Sequence, residues 1–74
     1  PKIIEVWEKY KDNKYIVGHF ATIMQALAQI ENTHRELANN GVVQILQGIL
    51  RRYGKNRYVA KPAYSALILL NVIR

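Results

Sequence analysis

The residues of this chain that are best placed to bind a ligand are basic side chains gathered around two short turns, residues 11–13 and 54–56. Cations on one edge of a protein attract an acidic partner over long range, and salt weakens that attraction. We predict that they form a partner-binding basic ridge of eight residues: Lys9, Lys11, Lys14, Arg51, Arg52, Lys55, Arg57 and Lys61. The alternative is a solvated edge, because the C-terminal ends of helices favour Lys and Arg in any case.

Both turns also carry an Asn between two tyrosines. The pattern occurs as Tyr10, Asn13 and Tyr15, and again as Tyr53, Asn56 and Tyr58. Aromatic rings interleaved with cations can stack on nucleic-acid bases. We favour a structural interpretation, in which each Asn caps the following helix and the tyrosines staple adjacent turns.

Catalytic and metal-binding chemistry has little support in this sequence. His19 and His34 lie on different predicted helices, with no second His or carboxylate at ligand spacing. The chain contains no Cys, Ser-His-Asp set, glycine-rich phosphate loop or carboxylate pair. We therefore predict that it is not an enzyme and that it uses no cofactor or metal.

The composition indicates one small folded domain with anionic partners. The chain has 74 residues, half of them apolar, and a net charge of +6, which favours acidic protein segments, nucleic acid or membrane surfaces. Its densest apolar stretch, residues 63–73, is shorter than the ~18 residues of a membrane span. We expect an intracellular, cytoplasmic protein, and cytoskeletal association and a nuclear location stay open.

Apolar residues at helical spacing predict helices over residues 2–11, 14–30, 42–53 and 57–73, with a shorter helix between the second and third of these. Thr33 and Glu36 fit a capping box at the start of the short helix, which Gly41 ends in a left-handed conformation. Pro62 is expected in the first turn of the last helix, or the helix begins later.

The predicted helices repeat at a spacing of 43 residues. This offset aligns Ile3 with Leu46, Val6 with Ile49, Trp7 with Leu50, Met24 with Leu67, Leu27 with Leu70 and Ile30 with Ile73. A constant spacing of this length is typical of stacked helical arrays, in which each unit buries the apolar face of its neighbour.

Two stretches identify the type of array that the chain resembles. Residues 32–50 join a short helix to a medium one at Gly41 and continue into an aliphatic run. Residues 63–72 carry an Ala-Leu pair that is followed by Asn71 and Val72. Both are similar to the armadillo repeat, although Gln44 stands where that family often has Pro. The resemblance implies an all-α, right-handed α-solenoid with the helix order H2-H3-H1-H2-H3.

In that arrangement, residues 1–74 form one armadillo-type segment. Residues 1–31 are helices 2 and 3 of one repeat, and residues 32–74 are a complete following repeat. Its apolar ends are expected to be covered by flanking repeats of a larger protein or by another chain.

The resemblance further implies a non-catalytic scaffold that binds proteins through the concave surface of its third helices. In nuclear-import armadillo proteins, a Trp and an Asn on this helix hold an extended peptide. Here Leu67 occupies the Trp position, which, like the basic charge, counts against binding of nuclear-localisation signals. We expect the groove to be lined by Met24, Tyr64, Leu67 and Asn71, and Asn71 alternatively bonds within the scaffold.

Two other functions stay open. A small basic nucleic-acid-binding domain needs cations along a recognition helix, but the last predicted helix is almost wholly apolar beyond Lys61. A self-associating helical module would cover its apolar end faces with a second copy. For this reason we expect the isolated chain to be marginally stable or to associate with itself.

Overall fold

The computed structural model describes residues 2–70, which are arranged in helices and turns without any strand. The helices are α1 (Lys2–Tyr10), α2 (Lys14–Ala28), α3 (His34–Asn39), α4 (Val42–Tyr53) and α5 (Arg57–Leu69), and a 3₁₀ turn, Glu31–Thr33, precedes α3. The all-α prediction is therefore confirmed for this part of the chain. The predicted extension of the last helix to residue 73 lies outside the described residues.

Two asparagines start the two long helices in the same way. The Asn13 side chain accepts hydrogen bonds from the backbone N–H groups of Tyr15 and Ile16, and the Asn56 side chain accepts one from Tyr58. Their backbones are both extended, with φ −99° and ψ 99° at Asn13 and φ −97° and ψ 105° at Asn56. Both predicted caps are confirmed.

Gly41 joins α3 to α4 in a left-handed conformation, as the sequence predicts. Its φ is +79°, and a Cβ at this position would lie 2.8 Å from the Ile4 Cδ1 atom of α1. The backbone conformation therefore requires glycine here, and a larger residue would also displace the Ile4 side chain.

The predicted capping box at Thr33 is wrong. The Thr33 hydroxyl donates to the carbonyl oxygens of Leu27 and Ile30, at 2.6 and 2.7 Å, instead of accepting from an N–H group of α3. Because the 3₁₀ turn continues directly into α3, Thr33 has helical backbone angles, and its side chain closes the end of α2.

The predicted position of Pro62 is also wrong. The Asn56 cap starts α5 at Arg57, so Pro62 lies inside the helix, beyond the first turn. The proline removes one backbone hydrogen bond from the helix. It is buried alongside Ala63 and Ala66, so it lies on the face of α5 that packs into the protein.

The hydrophobic core lies mainly between α2, α4 and α5. Helix α5 packs against both α2 and α4, while α1 and α3 lie against α4. Small residues bring α2 and α5 close together: a Cβ at Gly18 would lie 3.6 Å from the Val59 side chain. Trp7 is half-buried and packs against the core cluster, as expected. Among residues 2–70 no polar or charged side chain is buried, so polar chemistry is confined to the surface.

Candidate functional site

The two basic turns lie side by side. The Arg52 guanidinium, at the end of α4, donates a hydrogen bond to the Asp12 carboxylate in the first turn. The neighbouring Tyr53 hydroxyl donates to the backbone carbonyl of Lys11. These two contacts join residues that are 40 and 42 positions apart in sequence, and they bring the two turns together.

All eight residues of the basic ridge lie at the surface, where Lys11 is partly covered and the other seven are exposed. Two of them are neutralised locally, because Lys11 pairs with Glu8 at 2.7 Å and Arg52 pairs with Asp12. The hydrogen bond to Asp12 raises the pKa of Arg52 above its ordinary value. The other six form no ion pair within residues 2–70, and their charges are available to a partner.

The ridge has a central part and a C-terminal part. In the centre, Lys11 lines a shallow depression together with Arg51 and Arg52. At its C-terminal part, Arg57 and Lys61 line a different depression on the outer side of α4 and α5. The eight cations predicted as one surface therefore face at least two neighbouring concavities.

The charge is divided unequally between the two halves of the chain. Residues 1–31 contain four basic and four acidic residues, whereas residues 32–74 contain seven basic residues and one acidic residue. The whole net charge of +6 therefore belongs to the second half. This unequal division is visible in the sequence itself, as a count of charges on either side of residue 31.

The tyrosines divide into two classes. Tyr53 joins the two turns through its hydroxyl group, as the staple prediction requires. Tyr15 and Tyr58 are instead 73% and 90% exposed, so the staple prediction is wrong for these two. Each of them immediately follows the first residue of its helix. Both rings line one depression with Lys14 and Asn56.

The residues of the predicted groove lie in different environments. Leu67 is fully buried and Met24 is 8% exposed, and both belong to the hydrophobic core. Tyr64 is 46% exposed and is the accessible member of the set within residues 2–70. Asn71 lies outside the described residues. Binding at this groove stays a prediction, and the structure gives Met24 and Leu67 a packing role.

The two histidines lie in different surroundings. His34 lies at the start of α3, where a ring nitrogen is 2.6 Å from the Ala28 carbonyl oxygen and joins α3 to the end of α2. His19 is exposed on α2. Residues 2–70 contain no group of three or more His, Asp or Glu side chains that could hold a metal ion. None of the helices in this range is long and apolar enough to cross a membrane.

Comparison of the chain with known protein families, curated proteins and solved structures finds no match. The resemblance to armadillo repeats therefore rests on the residues of this chain.

Proposed function

We propose that this chain is an armadillo-type helical module that binds an acidic protein partner through its basic ridge. The 43-residue spacing supports the repeat arrangement, since it relates α1 to α4 and α2 to α5, and the two helices of each pair contact each other. The module is non-catalytic and serves as a binding scaffold in a larger protein.

The observation that carries this proposal is the coupling of the two turns. The contacts of Arg52 with Asp12 and of Tyr53 with Lys11 lie where the two turns meet. Cations that are more than 40 residues apart in the sequence, such as Lys11 and Arg52, thereby line the same depression. A partner segment rich in Asp and Glu can neutralise several of them at once, and this gives rapid and salt-sensitive association.

The proposal is tested with a fluorescent poly-glutamate peptide of about 15 residues, long enough to contact several of these cations. We expect a triple variant, Lys9→Gln, Lys14→Gln and Arg51→Gln, to bind at least about tenfold more weakly, and binding by the unmodified chain to weaken as salt is added. The control is the pair Lys2→Gln and Arg35→Gln, which removes two exposed cations outside the ridge, and the losses are compared per charge removed. Equal losses in both variants would contradict a ridge-specific site.

Binding of single-stranded nucleic acid is a second candidate, favoured by the exposure of Tyr15 and Tyr58 beside Lys14. Bases stack on exposed aromatic rings, and each stack contributes about 1–3 kcal/mol. A labelled single-stranded oligonucleotide tests this function. Tyr58→Ala should weaken binding if the base stacks there, whereas Tyr58→Phe should retain it. Binding that is insensitive to both substitutions would exclude base stacking on Tyr58.

A further inference from the structure

The 43-residue spacing aligns the buried face of α2, which packs against the second half, with the outer face of α5. On α2, Val17 and Ala21 are buried in the contact with the second half. Their counterparts on α5 are Ala60 and Tyr64, which are half-buried and exposed, respectively. The outer face of α5 therefore corresponds to the face of α2 that is buried against a neighbouring helix.

This outer face combines an apolar floor with a basic rim. Leu50 of α4 and Ala60 and Tyr64 of α5 line an open depression of about 1060 Å³, which is bordered by Arg57 and Lys61. Ile68, four residues after Tyr64 and on the same side of the helix, is 43% exposed. Apolar residues thus extend along α5 beyond the depression. An amphipathic helix binds in such a groove through side chains at a spacing of three and four residues.

The charges at the turns disfavour a second copy of this chain on the outer face. Between the two halves, Arg52 meets Asp12. The 43-residue spacing places Lys9 at the position of Arg52 and Lys55 at the position of Asp12. A second copy stacked with the same geometry would therefore oppose Lys9 to Lys55, and the attractive pair would become a repulsive one.

Side-chain size disfavours a second copy as well. Ala21 of α2 and Ala63 and Ala66 of α5 are completely buried on helices that pack against each other. At the corresponding positions, a stacked copy would bring Tyr64 towards Phe20 and Ile23. These larger side chains would force the helices apart, and the close approach seen between α2 and α5 would be lost.

We propose that the outer face of α4 and α5 binds an acidic amphipathic helix of another protein. This inference rests on the proposed function and specifies the partner further. The apolar side of the partner helix covers Leu50, Tyr64 and Ile68, and its carboxylates meet Arg57 and Lys61. A carboxylate of the partner also meets Lys55, which stands at the position of Asp12 in the 43-residue spacing. This ion pair is equivalent to the one between Asp12 and Arg52, but the cation and the carboxylate have exchanged sides.

The test compares two peptides of equal composition and charge, each of about 20 residues so that a stable helix can form. The first carries Leu at helical spacing with Glu on both flanks, and the second is a scrambled sequence without an apolar face. We expect the amphipathic peptide to bind the full chain at least about tenfold more tightly than the scrambled one, and to gain helical circular dichroism on binding.

Matched variants locate the site. Tyr64→Glu places a carboxylate in the apolar floor and should weaken binding of the amphipathic peptide by at least about tenfold. Ile23→Glu, at a residue of similar exposure on α2, is the control and should have little effect. Lys61→Gln should weaken binding more than Lys9→Gln does. Circular dichroism of each variant verifies that the helices are retained.

The outcomes separate this inference from the proposed function. Equal affinity for both peptides, with sensitivity to the ridge triple variant, would overturn the helix-binding face and leave the acidic-partner function standing. Failure of both peptides and of poly-glutamate to bind would overturn both. Concentration-dependent dimers in sedimentation equilibrium, abolished by Tyr64→Glu and by Ile23→Glu separately, would show that a second copy occupies the face and would overturn the proposed occupant.

Discussion

The two halves of this molecule have the same local structure but bury different residues. Asn13 and Asn56 begin equivalent helices with the same backbone angles. Yet Val6 is 43% exposed where its counterpart Ile49 is fully buried, and Ile23 is exposed where Ala66 is buried. The difference shows that burial depends on which neighbours a helix has: α4 packs against the other four helices, whereas its counterpart α1 packs mainly against α2 and α4.

The halves also differ in charge. The first half is neutral overall because its carboxylates balance its cations, and the second half carries the entire excess. The turns themselves are similar in shape, so the same backbone presents two different surfaces. A partner attracted by charge alone should therefore prefer the second half.

The largest expected effect comes from paired truncations at Ile49 and Val6. Ile49→Ala removes fully buried side-chain atoms and should reduce the free energy of unfolding by about 2–5 kcal/mol. Val6→Ala removes half-exposed atoms and should cost clearly less. Urea unfolding followed by circular dichroism measures both. Because a core of this size rarely supplies more than about 3–5 kcal/mol, Ile49→Val provides a milder variant that stays folded. Equal costs for the two alanine variants would contradict the difference in burial.

Two glycine substitutions should have opposite signs. Gly41→Ala introduces a Cβ at φ +79° against Ile4, and it should destabilise the protein by more than about 1 kcal/mol. Gly18→Ala lies within α2, where the new Cβ would make an ordinary contact with Val59 at 3.6 Å. It should stabilise the protein by roughly 0.5–1 kcal/mol, because alanine favours helix. Thermal unfolding distinguishes the two outcomes, and a stabilising Gly41→Ala would mean that the join between α3 and α4 is not left-handed.

Substitution of the two caps should have similar effects if the turns are equivalent. Asn13→Ala and Asn56→Ala each remove hydrogen bonds at the start of a long helix, and each should cost about 1 kcal/mol. Asn13 accepts two backbone N–H groups and Asn56 accepts one, so the loss at Asn13 should be the larger. Urea midpoints for the two variants and their double variant measure this. A cap that can be removed without cost would break the equivalence of the turns.

The smallest effect is expected from Asp12→Asn. Its carboxylate and the Arg52 side chain are both well exposed, and solvent screens such pairs strongly. The urea midpoint should therefore change little, and the difference from the unmodified chain should shrink further in high salt. A large loss of stability would show that the pair, and not the packing of α2 on α5, holds the halves together.

The sequence predicted the helices and their local signals well. The start and end of α4 match the predicted residues 42–53, and Asn13, Asn56 and Gly41 act as predicted, because capping and left-handed glycine depend on a few adjacent residues. Thr33 was mispredicted since the 3₁₀ turn before α3, which the sequence did not reveal, supplied different partners for its hydroxyl group.

The candidate site was predicted only in part. The clustering of cations at two turns follows from sequence spacing, but their division between two depressions depends on how α4 and α5 pack. The exposure of Tyr15 and Tyr58 also depended on tertiary structure, because a staple requires a neighbouring turn within reach of the ring. Tyr53 has such a neighbour at Lys11, whereas these two rings extend into solvent.

The sequence by itself determined the helical periods, the two capped turns and the excess of positive charge, since each arises from residues that are close together in the chain. Only the tertiary structure decided that Leu67 belongs to the core, that Tyr64 stays accessible, and that Arg52 reaches Asp12. These outcomes depend on which helix faces meet. Two stretches with nearly the same sequence pattern can bury different residues, because their helices pack against different neighbours.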